Sequence, residues 1–175
     1  MTTTTHSGTT HSGTTHSGTT HPETTIAADP AVPTIGISRE FAAPPAAVFR
    51  AHTDPDLVAR WLGPRSVTMV VERWDATTGG AYRYKHTRGD EEYGFYGSFH
   101  EVREPSRIVQ TFTFEGFPDG VCLETLTLTD LGDGRTRLDA VSVYESIEVR
   151  DLALSSGMQT GVVEGYEQLD EVLAS

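Results

Sequence analysis

Glu124 and His86 are the two side chains whose positions predict acid–base chemistry. Both lie in segments where polar and apolar residues alternate, a pattern typical of a strand with one wet face and one buried face. Threonines occupy every second position of 125–129, so Glu124 shares the opposite face with Leu126 and Leu128. A carboxylate is seldom fully buried unless it is paired. We therefore expect Glu124 to face a wet cavity or to have a hydrogen-bond partner.

Aromatic residues dominate the same predicted inner face. In 81–87 the basic residues Arg83 and Lys85 point to water, and the residues between them point inward. The same reasoning, applied to the later alternating segments, selects further aromatic and polar positions. The inner face is predicted to carry Tyr82, Tyr84, His86, Phe95, Phe99, Phe112, Phe114, Glu124 and Tyr144.

Two interpretations of these residues stay open. In the first, Glu124 or His86 acts as a general base and a tyrosine hydroxyl polarises a carbonyl. In the second, His86 is a hydrogen-bonded histidine at the margin of the sheet, and the tyrosines are half-buried with hydroxyls that reach water. The sequence contains no motif of a serine hydrolase, a phosphate-binding loop or a zinc protease. We expect neither a cofactor nor a metal site.

Seven strands and two short helices must position these side chains. An antiparallel sheet with one wet face, and one face packed on a helix, explains the alternation. The short helices, 46–52 and 56–62, are predicted after the first strand because a proline precedes each of them. The predicted strands are 34–42, 66–75, 81–87, 92–102, 107–115, 121–131 and 135–144.

The last stretch, 148–174, is predicted to be one helix of about seven turns. Its apolar residues recur at three- and four-residue steps and form one stripe, which includes Met158 and Val162. Three glycines at four-residue spacing, from Gly157 to Gly165, lie on this stripe. Bare backbone at these positions either allows a sheet to approach closely or leaves room for a ligand.

The composition excludes several classes of partner. The 175 residues carry 25 acidic and 13 basic side chains, and the net charge is −12. We therefore expect no nucleic-acid partner and no anionic membrane surface, because both require a basic face. The sequence has no apolar run long enough to cross a bilayer, no secretory signal, and a single cysteine, Cys122. These features predict a cytoplasmic protein with one domain.

Residues 1–33 differ in composition from the rest. A repeat of Thr-His-Ser-Gly-Thr fills 1–25, and its lack of aliphatic residues predicts disorder. Residues 26–33 contain two prolines and are predicted to be a linker. The histidines of the repeat lack a preformed geometry for a metal, and loose chelation of a divalent ion is the alternative. The domain is predicted to span 34–175.

Four motifs together resemble a known family. They are APPAAVFRAHTDPDLVARWLGP at 43–64, GGAY at 79–82, GSFHEVREPSR at 97–107, and the glycine-spaced helix that starts at Gly157. In this order they are similar to the START-like (SRPBCC, helix-grip) superfamily, in the branch named after the activator of the heat-shock chaperone ATPase. The similarity covers nearly all of residues 34–175.

The resemblance implies an α+β helix-grip fold, in which a curved seven-stranded antiparallel sheet wraps around a long C-terminal helix. It also implies that a small hydrophobic or aromatic molecule, lipid-like or polyketide-like, binds in the cavity between sheet and helix. A cyclase or aromatase acting on a polyketide is the alternative, with Glu124 or His86 as its base. A chaperone-associated interaction module is the second alternative, because the fold alone does not choose between these functions.

Trp61 and the loop 116–120 are expected at the cavity mouth if the resemblance holds. Trp61 would cap the mouth, and packing in the core is the alternative for this residue. The glycines at both ends of the loop would act as hinges that let Phe117 close opposite it. The expected ligand-binding set is Trp61, Tyr82, Tyr84, His86, Phe95, Phe99, Phe112, Phe114, Phe117, Glu124, Tyr144, Met158 and Val162.

Overall fold

A curved antiparallel sheet faces a C-terminal helix in this computed structural model, which describes residues 24–175. The predicted α+β helix-grip fold is confirmed. The strand order is β1-β2-β8-β7-β6-β5-β4-β3, so only β2 and β8 are neighbours in the sheet without being neighbours in the chain. The strands are β1 (Thr25–Ala28), β2 (Thr34–Phe41), β3 (Thr68–Trp74), β4 (Ala81–Arg88), β5 (Glu91–Arg103), β6 (Arg107–Phe114), β7 (Val121–Gly132) and β8 (Arg135–Val143). The helices are α1 (Pro45–Thr53), α2 (Pro55–Val58), α3 (Ile147–Ser155) and α4 (Met158–Leu173).

The sheet has one strand more than the seven predicted. β1 lies in the segment expected to be a tail and linker, and it pairs antiparallel with residues 35–38 of β2. Ile26 packs against the core, so this short segment gains apolar burial as well as backbone hydrogen bonds. The rest of the predicted tail, residues 1–23 with the histidine repeat, lies outside the described residues.

The predicted C-terminal helix is in fact two helices. Gly157 separates them, because it adopts the left-handed conformation with φ +85° and precedes the first residue of α4. Glycine adopts this conformation at little cost, whereas other residues rarely do. The stripe of apolar residues that faces the sheet therefore belongs mainly to α4. Within the part of the chain that the structure describes, no helix is both long and apolar enough to cross a membrane.

The C-terminal half of α4 is packed into the core. Leu169 is fully buried there, and the ring of Tyr166 meets that of Phe41 edge-on with centroids 5.6 Å apart. Met158 and Val162, on the N-terminal half of the same helix, are only partly buried. The sheet therefore packs closely on one end of α4 and leaves accessible surface along the other.

A buried ion pair fixes the densely packed half of α4 to the sheet. Arg39 on β2 is 4% exposed, and its guanidinium donates to the carboxylate of Asp170 on α4. The other terminal nitrogen donates to the hydroxyl of Thr24 over 2.6 Å, and the guanidinium lies 5.6 Å from the centroid of Phe41. A buried cation is destabilising without a counter-charge, so Asp170 compensates the charge of Arg39 and fixes the position of α4 on the sheet.

We expect Asp170→Asn to lower the free energy of unfolding by about 2–4 kcal/mol, because it leaves the Arg39 guanidinium buried without a counter-charge. Urea unfolding followed by circular dichroism measures this change. Glu167→Gln on the same helix is the matched control, since its carboxylate is 51% exposed and lies 3.9 Å from Arg65. The control should change the free energy of unfolding by less than about 0.5 kcal/mol. Equal effects of the two variants would contradict the assignment.

Candidate functional site

Glu124 lies on the inner face of the sheet, as the alternation of β7 predicted. The register places it between Gln110 of β6 and Ser142 of β8. The Nε2 of Gln110 donates to the Oε2 of Glu124 over 2.9 Å, and the Ser142 hydroxyl lies 3.5 Å from its Oε1. Both partners are neutral donors, so no cation compensates the carboxylate.

Protein surrounds Glu124, but part of its side chain stays accessible. Burial raises the pKa of its carboxyl above the ordinary value, and the hydrogen bonds from Gln110 and Ser142 oppose that effect. Its side chain is nevertheless only half-buried. A side chain that protein surrounds and that still keeps accessible surface borders a gap in the packing, so the inner face of the sheet is not completely filled at Glu124.

Four tyrosines and the single cysteine surround this carboxyl group. Burial raises the pKa of every one of them, and the charge of Glu124 raises it further. For the Cys122 thiol the pKa rises to about 12, so the thiol stays protonated and unreactive. Sequence reasoning missed two members of this cluster, although the apolar stripe of the last helix and the alternation of β7 already indicated that they point inward. The members are Tyr82, Tyr84, Cys122, Tyr144 and Tyr166.

The tyrosine hydroxyls differ in their hydrogen bonds. The Tyr82 hydroxyl donates to the carbonyl of Thr111 over 2.7 Å, and Gly97 makes room for it, since an added Cβ would lie 2.6 Å from that hydroxyl. Tyr84 and Tyr166 are 4% and 8% exposed, and neither hydroxyl has a protein partner among the described residues. Only Arg39 and Trp74 have a fully enclosed, unpartnered side-chain nitrogen or oxygen in this part of the chain. The two free hydroxyls are therefore not fully enclosed and keep some accessible surface.

A stack of aromatic rings lies on the same inner face of the sheet. Phe95 is its centre, with ring centroids 5.1 Å from Tyr84, 5.6 Å from Phe112 and 5.2 Å from Phe114. These three phenylalanines are only half-buried, so they keep surface for a ligand. Phe99, predicted to share this role, is 1% exposed and packs in the core.

The N-terminal half of α4 packs Met158 and Val162 against the core, and both are only partly buried. The Tyr144 hydroxyl lies 4.0 Å from the Sδ of Met158, which joins the end of β8 to this half of the helix. Gly165 serves close packing, because an added Cβ would lie 3.1 Å from the Trp61 carbonyl oxygen. At Gly161 an added Cβ would make only an ordinary contact, 3.5 Å from Pro64.

His86 supports a loop rather than facing the cavity freely. Its Nε2 donates to the Leu62 carbonyl over 2.9 Å, and Gly63 covers the ring so closely that an added Cβ would lie 2.5 Å from it. Gly63 also has φ +117°, which favours glycine. Burial lowers the pKa of His86, and the hydrogen bond to Leu62 opposes that effect. This placement matches the second interpretation of His86, a hydrogen-bonded histidine at the sheet margin.

Trp61 lies in the core and not at the cavity mouth, where the resemblance placed it. It is 5% exposed, and its Nε1 donates to the Ala51 carbonyl over 2.8 Å. Its ring packs against His52 and Tyr166, with centroids 4.7 and 6.0 Å away. A tryptophan held on all sides in this way stabilises the junction of α1 and α4 and has no freedom to act as a cap.

Phe117 lies in the loop between β6 and β7 and is 46% exposed. Its ring covers Gly120 of the same loop, where an added Cβ would lie 2.4 Å from the ring. Trp61 packs with other partners, so the two residues do not form the predicted pair across a mouth.

A separate surface groove runs along a different face of α4, beside β1. It is open to solvent and contains none of the aromatic residues described above. No group of three or more potential metal-ligating side chains occurs among residues 24–175. The groove is lined by Thr24, Ile26, Gln159, Thr160, Val163, Glu164 and Glu167.

The chain is similar to several known proteins in sequence and in fold. Residues 42–174 match the family described as Activator of Hsp90 ATPase homolog 1-like protein. A solved protein of Rhodobacter sphaeroides is 29% identical with a TM-score of 0.79, over 87% of this chain and 99% of its own. One of Mycobacterium smegmatis is 30% identical with a TM-score of 0.77, over 86% and 97%. One of Arthrobacter aurescens is 29% identical with a TM-score of 0.79, over 86% and 91%. No functionally curated protein matches the chain.

We expect Glu124→Gln to be more stable than the wild type at neutral pH. Burial raises the pKa of Glu124, so folding favours the protonated acid, and stability is lost as the pH rises above the ordinary value of 4.5. The variant is neutral at every pH, so its advantage should shrink to nothing as the pH falls below that value. Thermal unfolding at a series of pH values measures the difference.

Asp119→Asn, in the exposed loop between β6 and β7, is the control for loss of one carboxylate. Its stability relative to wild type should not show the same rise with pH. A Glu124→Gln variant that is less stable than wild type at neutral pH would show that Glu124 is not an uncompensated buried acid.

Proposed function

Because the chain belongs to the family of Activator of Hsp90 ATPase homolog 1-like proteins, as its motifs predicted, we propose that it binds a small hydrophobic or aromatic molecule in its interior. The binding site is the cavity between the inner face of the sheet and the N-terminal half of α4. Such sites are usually mostly apolar, with a few polar groups that orient the ligand. The stacked rings around Phe95 and the polar cluster around Glu124 supply these two components.

The observation that carries this proposal is the accessible surface of an enclosed polar cluster. Glu124 is only half-buried although protein surrounds it, and the Tyr84 and Tyr166 hydroxyls have no protein partner among the described residues. Polar groups that lie inside a fold and still keep accessible surface favour a role with a ligand or ordered water.

The N-terminal half of α4 supplies apolar surface to the proposed site. Val162 and Met158 point toward the sheet but keep part of their surface accessible, whereas Leu169, two turns further along, is fully buried. A ligand between Val162 and the Phe95 ring would remove that surface from water. Each 100 Å² of apolar surface removed would contribute about 2.5 kcal/mol before the cost of association.

We expect Val162→Trp to weaken binding of the neutral dye Nile red at least about tenfold, because the larger side chain fills the cavity. Val163→Trp is the matched control, since Val163 follows directly in the chain and lines the outer groove. It should bind the dye as the wild type does. Fluorescence titration measures both affinities, and circular dichroism confirms that each variant is folded.

A second pair of variants guards against a folding defect in Val162→Trp. Phe95→Ala removes the central ring of the stack, and Tyr96→Ala removes the adjacent ring on the outer face of β5, which is 40% exposed. Only Phe95→Ala should weaken binding. Loss of dye binding in Val163→Trp but not in Val162→Trp would place the site in the outer groove and overturn the proposal.

A second candidate function is catalysis by Glu124, in a cyclase or aromatase acting on a polyketide-like chain. Its raised pKa moves the carboxyl toward the range in which general bases operate, and the Tyr84 hydroxyl borders the same cavity and would polarise a carbonyl. The cavity itself would fold a flexible chain into a reactive conformer. His86 is less suited to the same role, because its Nε2 is held by Leu62.

For this second candidate, we expect the wild type to convert a linear poly-β-ketone into a cyclised product that mass spectrometry detects. Glu124→Gln should reduce the rate at least about 100-fold while the neutral substrate still displaces Nile red. Asp119→Asn should retain the wild-type rate. Normal turnover in Glu124→Gln would exclude Glu124 as the base.

The role as a chaperone-associated module stays a prediction, and so does the cytoplasmic location. Neither rests on a feature of the described residues.

A further inference from the structure

We propose that the cavity selects an aromatic ligand that carries a basic amine, whose protonated nitrogen lies against the Glu124 carboxylate. The inference rests on the proposed binding function and narrows its ligand class. It follows from the charge of the polar cluster, from the kind of hydrogen bonds that Glu124 makes, and from the rings around it.

No basic side chain compensates Glu124. The sequence contains 13 lysines and arginines, all of them within the described residues. Eleven form ion pairs with other carboxylates, as Arg39 does with Asp170, and the remaining two, Arg60 and Arg73, are exposed. His86 shares the inner face, but burial favours its neutral form. Glu124 is therefore a carboxyl group without a counter-ion inside the protein.

Glu124 is arranged as an acceptor of hydrogen bonds. Gln110 donates to Oε2 over 2.9 Å, and the Ser142 hydroxyl is 3.5 Å from Oε1. Each carboxylate oxygen accepts two hydrogen bonds, so both keep capacity for a further donor. A ligand ammonium group supplies such a donor together with the missing positive charge, and it removes the penalty of burying the carboxylate alone.

The surrounding rings favour the same charge. Aromatic rings attract cations, and the half-buried rings of Phe95 and Phe112 lie on the same inner face of the sheet as Glu124. The free hydroxyls of Tyr84 and Tyr166 provide further oxygen acceptors for an N–H group. An anionic ligand, such as a fatty acid, would instead bring a second negative charge beside Glu124, at a site with no cation to bind it.

Three probes that share one ring system test the proposal. They are 2-naphthylmethylamine, the neutral 2-naphthylmethanol, and 2-naphthylacetate, titrated by calorimetry at neutral pH. In the wild type we expect the amine to bind at least about tenfold more tightly than the alcohol, and the carboxylate at least about tenfold more weakly. In Glu124→Gln the preference for the amine over the alcohol should fall below about threefold.

Glu167→Gln is the matched control for charge. It removes one carboxylate from the outer groove and should keep the preference for the amine, since Glu167 lies outside the cavity. Loss of the preference in Glu167→Gln would show that the amine binds in the groove, which overturns the proposal. So would a wild type that binds the alcohol as tightly as the amine, or the carboxylate most tightly. In those cases binding of the alcohol still supports the proposed function, whereas failure of all three probes to bind would reject both.

Discussion

The close contact between the C-terminal half of α4 and the sheet determines where the interior stays open. Leu169 and Tyr166 fill the space at that end, and the ion pair of Arg39 with Asp170 fixes the helix there. Along the other half of α4 the side chains of Met158 and Val162 keep accessible surface. The C-terminal half of the interface between α4 and the sheet thus stabilises the fold. The N-terminal half can therefore remain incompletely packed and leave room for a ligand.

The sequence predicted the inner face well and the C-terminal region less well, for physical reasons. Alternation along a strand has a strict period of two, so the inward direction of Glu124 followed from the threonines beside it. Gly157 has the spacing of a helical residue, and its left-handed backbone depends on how α3 meets α4, which no local pattern encodes. The core position of Trp61 depends on its contacts with α1 and with α4, which is distant in the sequence. The role of Tyr166 depends on which end of the apolar stripe of the last helix lies near the polar cluster.

The polar cluster around Glu124 departs from the usual pattern, in which buried side chains are apolar or paired. A neutral, apolar residue at position 124 would remove the cost of an uncompensated acid, and aromatic residues without hydroxyls would pack as well as Tyr84 does. The chain instead holds these groups rigidly through the register of β6, β7 and β8. Side chains carried by a sheet keep their positions when a ligand leaves, so little ordering is required when it returns.

The short strand β1 has a consequence for the protein in concentrated solution. Without it, the eight residues of β2 would form an open edge with unpaired backbone groups, and such an edge attracts strands of other molecules. β1 occupies only residues 35–38 of that edge, and Pro30 and Pro33 follow it. Four residues near the N-terminus thereby limit edge-to-edge aggregation, and a shortened chain that begins at the first residue of β2 would be the more prone to form fibrils.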